Sequence, residues 1–131
     1  MIRDDTGRIR ALVEAYASAY EAHDARVCAD IFTGDALVVS PWGPPTRGTE
    51  AIAATHLDWF AEGERNKEMT VEDLVIDGDL AFCLLRFAAD VPAGRSNGVS
   101  LNSLRRQSDG GWRISHCCLC ELDGPLAAGG E

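Results

Sequence analysis

The apolar pattern of the chain changes period part-way along, and this change limits the folds open to it. Ile9, Leu12, Val13, Tyr16, Ala17 and Tyr20 recur at the spacing of one helix face. Asp4, Asp5 and Thr6 stand before or within the first turn, where short oxygen side chains satisfy free N–H groups. That helix is expected to stop near His23-Asp24, with Asp24 capping a short second helix that turns Cys28, Ile31 and Phe32 inward. Ile52, His56, Trp59 and Phe60 mark a third helical face, started by Gly48 or Thr49 and ended by Gly63. From Met69 onward the period is two. Met69 to Ile76, Leu80 to Ala89, Val99 to Gln107 and Trp112 to Glu121 read as strands. They are joined by an Asp77-Gly78 hairpin, a turn over 92–98 and a Ser108-Asp109-Gly110-Gly111 turn. Ala36 to Ser40 reads as a further short strand after a Gly34-Asp35 turn. Pro41-Trp42-Gly43-Pro44-Pro45 reads as a loop, because proline cannot donate to a ladder. Helices followed by a meander of long strands predict an α+β layer architecture.

The 131 residues suffice for one domain with a core of its own, expected over 1–123, with a loose Gly-rich tail over 124–131. Apolar residues make up 46% and charged residues 25%, which is neither a disordered nor a membrane composition. The net charge of −9 argues against nucleic acid or an anionic membrane as partner. No apolar run approaches the roughly 20 residues of a membrane span, and no apolar export segment follows Met1. The five cysteines, Cys28, Cys83, Cys117, Cys118 and Cys120, are odd in number and form no CxxC pair. Free thiols in a reducing, cytoplasmic setting are therefore expected.

Several segments, in this order, carry a resemblance. They are Leu12 to Tyr20 with His23-Asp24-Ala25, Ile31 to Ala36, Pro41-Trp42-Gly43, and Arg47 to Ile52. Gly78-Asp79-Leu80-Ala81, Leu104-Arg105-Arg106 and Gly111 to His116 complete the set. Together they resemble the NTF2-like superfamily and, within it, the SnoaL-like and ketosteroid-isomerase-like branch. The resemblance implies an NTF2-like (cystatin-like) cone, with three N-terminal helices packed on a strongly curved antiparallel sheet that encloses a pocket. It also implies a homodimer formed through the outer sheet face. It leaves function open, because the fold hosts isomerases, dehydratases, cyclases, hydrolases and binding proteins.

The same resemblance suggests a site. Tyr16 matches the tyrosine that donates a hydrogen bond to the substrate oxyanion in ketosteroid isomerases, and Asn102 aligns with the second donor. His56 stands where a side chain bonds the helix-one tyrosine, a pairing found in dehydratases of this fold. Near neutral pH it could move a proton. Period two puts His116 on one face with Ile114, Cys118 and Cys120, and the alignment turns that face inward. Strand parity could bring Arg86 into the same interior, where it would meet a carboxylate. Tyr20, Ser40, Trp42, Trp59, Cys118 and Cys120 complete the expected ligand-binding set. The competing reading makes Tyr16 and His56 ordinary core residues and puts Asn102 on the outer face by a one-residue slip.

Ser40 stands where the isomerases carry their aspartate base, and a serine cannot take up a proton at neutral pH unaided. Asp35 nearby reads as a structural turn residue. His116, Cys118 and Cys120 spread along roughly 13 Å of one strand, too far to share a zinc ion, so no metal is expected, and no cofactor. The expected function is a cofactor-independent small-molecule enzyme. It would carry out isomerase-, dehydratase- or cyclase-like proton transfer on a small apolar, carbonyl-containing or polyketide-like ligand. The alternative is a non-catalytic ligand-binding or dimeric interaction domain.

Overall fold

The computed structural model describes residues 4–122; the expected loose tail over 124–131 lies outside them. Helix α1 spans Asp5–Glu21, and Asp4 caps it by accepting the Gly7 N–H at 3.0 Å. The chain reverses at His23, which takes a left-handed φ of 57°. Asp24 then caps α2 (Ala25–Asp30) by accepting from the Val27 N–H at 3.1 Å. Strands β1 (Phe32–Ser40) and β2 (Gly43–Arg47) precede α3 (Thr49–Ala61). Four long strands follow: β3 (Arg65–Asp77), β4 (Leu80–Val91), β5 (Gly94–Arg106) and β6 (Trp112–Leu122).

The six strands form one sheet in the order β2-β1-β6-β5-β4-β3. Every pairing is antiparallel except β1 with β6. The helices lie on its concave face, α1 against β3 and β6 and α3 against β1 and β2. Ile9, Val13, Ile52, Leu104, Trp112 and Ile114 fill the core between the layers. The architecture is the α+β layer arrangement that the sequence pattern predicts, curved into the cone that the resemblance implies.

A charged clamp closes the narrow end. The Arg106 guanidinium donates to both Asp5 carboxylate oxygens, to Asp79 Oδ1 at 2.8 Å and to the Gly78 carbonyl at 2.9 Å. It lies 4.6 Å from the Trp112 ring, whose Nε1–H also donates to Asp5 at 3.1 Å. The start of α1 is thereby tied to the sheet through a planar fork that lysine could not reproduce.

Four local expectations are corrected. Gly34 and Asp35 lie inside β1 rather than in a turn before it. The β1–β6 register shifts between Phe32 and Leu37, so turn chemistry survives as an irregularity, with Thr33 Oγ1–H donating to Asp35 at 3.0 Å. The proline segment is no loop throughout: Gly43–Arg47 is an edge strand, paired to β1 through Gly43, Thr46 and Arg47. Pro44 and Pro45 therefore owe the ladder no N–H, which is where a sheet tolerates proline. β3 starts four residues before Met69, and β5 starts at Gly94, so the 92–98 turn shrinks to Pro92-Ala93. Last, β6 carries a bulge. Ser103 pairs with His116 but Leu104 pairs with Ile114, leaving Ser115 as the extra residue.

Gly98, inside the lengthened β5, faces Phe87 across the pair. A Cβ there would lie 2.3 Å from Phe87 Cζ and 2.5 Å from the Cys120 carbonyl oxygen. Glycine lets the Phe87 ring lie flat across β5, where it forms part of the wall described next.

Candidate functional site

Between the helices and the sheet the core is left open as a cavity of about 340 Å³. Tyr16 and Tyr20 of α1, Phe32 of β1 and Trp59 of α3 form one side. Met69, Leu85, Phe87, Ile114, Cys117 and Leu119 of the sheet form the other. Trp42, Glu62, Val91, Pro92, Ala93 and Glu121 also line it. Trp42 Nε1–H donates to Glu121 at 3.2 Å, and Ser96 Oγ–H donates to the other Glu121 oxygen at 3.0 Å. Trp42 also meets Trp59 edge-on at 5.9 Å. Such a chamber, mostly aromatic and aliphatic with few polar groups, is the usual form of a small-molecule site.

One polar group of three stands inside this apolar lining. The Tyr20 hydroxyl donates to Glu64 Oε1. Lys67 Nζ lies 3.5 Å from Glu64 Oε2, 4.2 Å from the centre of the Tyr20 ring and 4.7 Å from that of Phe87. The Lys67 side chain is 8% exposed and that of Glu64 15%. Burial lowers the Lys67 amine from its ordinary range, and the nearby Glu64 charge opposes this without cancelling it. Burial, then Glu64, pushes the Tyr20 phenol well up, so it stays protonated.

A second polar pair lies behind the aromatic wall. His56 Nδ1 is 2.8 Å from the Ile52 carbonyl, which can only accept, so Nδ1 carries the proton. Nε2 is then an acceptor, and the Tyr16 hydroxyl, 2.7 Å away, donates to it. Burial pushes the His56 imidazolium down to about 4 and raises the Tyr16 phenol. Both groups are neutral across the physiological range.

The residues expected at the site separate into three groups. Tyr16, Tyr20, Trp42, Trp59 and Asn102 line the cavity. Asn102, however, spends its amide N–H groups within the wall, on the Cys83 carbonyl at 3.3 Å, the Ser100 carbonyl at 3.2 Å and Ser100 Oγ at 3.0 Å. His56 and Ser40 are not among the lining residues: His56 backs Tyr16, and Ser40 Oγ accepts the Trp42 N–H at 3.3 Å. His116, Cys118, Cys120 and Arg86 face away from the cavity, contrary to the inward placement expected for them.

The Ser115 bulge is the reason for the first three. Ile114 is inside, the extra residue shifts the phase, and Cys117 and Leu119 follow inward while His116, Cys118 and Cys120 turn out. Arg86 alternates with the inward Leu85 and Phe87 and pairs with Glu72 at 3.2 Å on the outer face. Among the described residues, no three His, Cys, Asp or Glu side chains are grouped to hold a metal ion. The inward Cys117 thiol is pushed up to about 12 by burial and is unreactive.

Lys67, Glu64, Ser96, Ser100, Cys117 and Glu121 were not anticipated. Continuing the period-two face one step back from Met69 reaches Lys67. Glu64 sits in the helix-to-strand connection and carries no sequence signal. Cys117 and Glu121 have the phase that the bulge creates.

A small α+β cone with an aromatic cavity and an internal polar group defines the class of protein. Residues 13–121 match the SnoaL-like domain family, so the chain belongs to it. No curated protein is significantly similar to it in sequence. Solved structures share the fold at low identity. A ketosteroid isomerase-like protein from Erwinia carotovora atroseptica is 19% identical, covering 94% of this chain and 100% of that one, with a TM-score of 0.82. A domain of unknown function with a cystatin-like fold from Nostoc punctiforme is 21% identical, covering 95% and 81%, also with a TM-score of 0.82. A candidate dehydratase of the NTF2-like family from Streptomyces avermitilis is 16% identical, covering 92% and 97%, with a TM-score of 0.73.

The His56 geometry has a sign-definite consequence. Its folded value of about 4 lies below the ordinary 6.5, so the unfolded chain binds the extra proton first. The stabilisation from keeping His56 neutral is present above pH 6.5 and is lost as pH falls toward 4, up to about 3 kcal/mol. Imidazole NMR should show His56 as the Nδ1–H tautomer, still neutral at pH 5.5. A signal half-protonated near 6.5 would contradict the buried Tyr16–His56 bond.

Proposed function

We propose that the protein is a cofactor-independent enzyme that moves a proton next to the carbonyl of a small apolar substrate held in the cavity. The carrying observation is the Glu64 carboxylate, which is largely buried in the cavity wall beside Tyr20 and Lys67, whereas Glu121, another lining carboxylate, is held by Trp42 and Ser96. A carboxylate in a dry site is a competent general base, and it supplies the function that Ser40 cannot. Glu64 occupies a different wall from the strand end where the isomerases of this family carry their base. Tyr20 and Lys67 hold it in place. The aromatic walls favour a flat or cyclic carbonyl compound, and the dehydratase description of one structural relative is compatible with the same elementary step.

The chain is also proposed to work as a homodimer joined through the outer face of the sheet. Leu80, Phe82 and Leu101 are each more than half exposed there, and Leu37, Val39 and Cys118 extend the same patch. A contiguous apolar face of this kind is unusual on a monomer. The occupant argued for is a second copy, because the patch is a sheet face continuous over several strands and self-complementary pairing suits it. Sedimentation at micromolar concentration should give twice the chain mass, and Phe82→Asp should give the single chain. A wild-type monomer at that concentration rejects the proposal.

The enzymatic reading is tested with an apolar cyclic ketone, 2-tetralone, in D2O. The wild type should exchange the ketone's α-hydrogens faster than buffer, as followed by NMR. Glu64→Gln should lower that rate by about 10²-fold or more, whereas Arg26→Ala, on the exposed face of α2, should leave it unchanged. A ketone that raises Tm without any exchange above buffer would establish the non-catalytic binding alternative instead.

A further inference from the structure

Proton abstraction beside a carbonyl requires the carbonyl to be activated, and the tyrosine and amide donors of the cavity point elsewhere. Tyr16 donates to His56, Tyr20 donates to Glu64, and Asn102 donates within the wall. The cation of the lining is the Lys67 amine, a group that can be directed at an electrophile. Its surroundings are unusual at the level of the whole chain. Of 12 lysines and arginines, Lys67 is the single lysine, and it is the cation that lines the cavity. Every exposed cationic position of the described chain is served by arginine. If the task at 67 were only to neutralise Glu64, the guanidinium used everywhere else would serve, and with better hydrogen-bond geometry. What lysine adds is a nitrogen lone pair that becomes available once the proton is removed.

We propose that Lys67 captures the carbonyl carbon of an apolar aldehyde or ketone as an imine, with Glu64 as the proton carrier. This rests on the carbonyl reading above and names how the carbonyl is activated. The step balances within the site. Lys67 Nζ passes one proton to the Glu64 carboxylate, 3.5 Å away. The nitrogen lone pair forms a C–N bond, and the carbonyl π pair moves to oxygen. A proton transfers from nitrogen to that oxygen, giving a carbinolamine. Glu64 then returns its proton to the hydroxyl, the C–O bond breaks, and water leaves. The product is a protonated imine beside a Glu64 carboxylate, formed from an ammonium, a carbonyl and the same carboxylate. The iminium withdraws electrons from the neighbouring carbon, so the regenerated carboxylate faces a more acidic C–H. The Tyr20 and Phe87 ring faces, at 4.2 and 4.7 Å, suit the cationic nitrogen of either state. The lowered amine basicity acts in the same direction, raising the share of free amine.

The test is reductive trapping. Wild-type protein is incubated with 2-naphthaldehyde and sodium cyanoborohydride, and adducts are located by intact mass and peptide mapping. The α-amine of the chain is the internal control. Melting shifts are recorded with the aldehyde alone. The expected result is an adduct on Lys67 that forms with saturation in aldehyde, about tenfold or more faster than on Lys67 of the urea-unfolded chain. Lys67→Arg, which keeps the charge, should lose that adduct and retain the α-amine one. A raised Tm with labelling confined to the α-amine overturns the imine while leaving the carbonyl pocket standing. Neither a Tm shift nor a Lys67 adduct overturns the imine and counts against the carbonyl reading as well.

Discussion

Strand β6 is the element on which the interior of this protein turns. It pairs in parallel with β1 and antiparallel with β5, so its register sets both halves of the sheet. One extra residue, Ser115, divides it into two phases. The bulge is held by a polar knot: Ser115 Oγ–H donates to the Ser103 carbonyl at 3.2 Å, and Ser103 Oγ lies 2.7 Å from Ser115 Oγ and 2.9 Å from His116 Nδ1. Before the bulge, Trp112 packs the narrow end and Ile114 reaches the cavity wall. After it, Cys117, Leu119 and Glu121 line the cavity, while His116 and Cys118 join the outer apolar face. The same residue thus resets which side chains of β6 face the chamber.

The chamber in turn sets the electrostatics. Removing water from around titratable groups penalises their charged forms. His56 and Tyr16 respond by staying neutral and satisfying each other. Lys67 and Glu64 instead remain as a pair, supported by the Tyr20 hydroxyl and two ring faces. A buried pair of this sort is a weak source of stability compared with apolar packing of the same volume. Its persistence in a site lined mostly by aromatic and aliphatic groups fits a chemical task better than a structural one. The isomerase arrangement the resemblance suggests, with Tyr16 and Asn102 donating to an oxyanion, is not assembled here, because both spend their donors on protein partners.

The fold was legible because it depends on features that short windows carry. The helical face from Ile9 to Tyr20, the Asp4 and Asp24 caps, the reversal to period two after Met69 and the Asp77-Gly78 hairpin are all local. The site was most legible where helices carry it, as at Tyr16, Tyr20 and Trp59, since helical phase survives without knowledge of partners, and Trp42 and Asn102 were also placed on the cavity. On strands it failed for several reasons, at Arg86 because strand parity turned it outward beside Leu85 and Phe87. At His116, Cys118 and Cys120 a bulge visible only through the Ser103–His116 and Leu104–Ile114 pairings inverted the phase. At Lys67 the strand began earlier than its apolar residues announce, because its first turns of sequence, Arg65 to Glu68, are polar. Glu64 depends on where a helix-to-strand connection happens to pass.

The single lysine of this chain lies in the mostly apolar chamber, where its titration reports whether it is a poised amine. Labelling the chain with ¹³C-lysine gives one ε-methylene signal, which can be followed against pH in the folded protein. Lys67 is expected to titrate below the ordinary lysine range, and Glu64→Gln to lower it further. A signal that titrates like a solvated lysine, near about 10.4, and ignores Glu64→Gln would contradict this expectation.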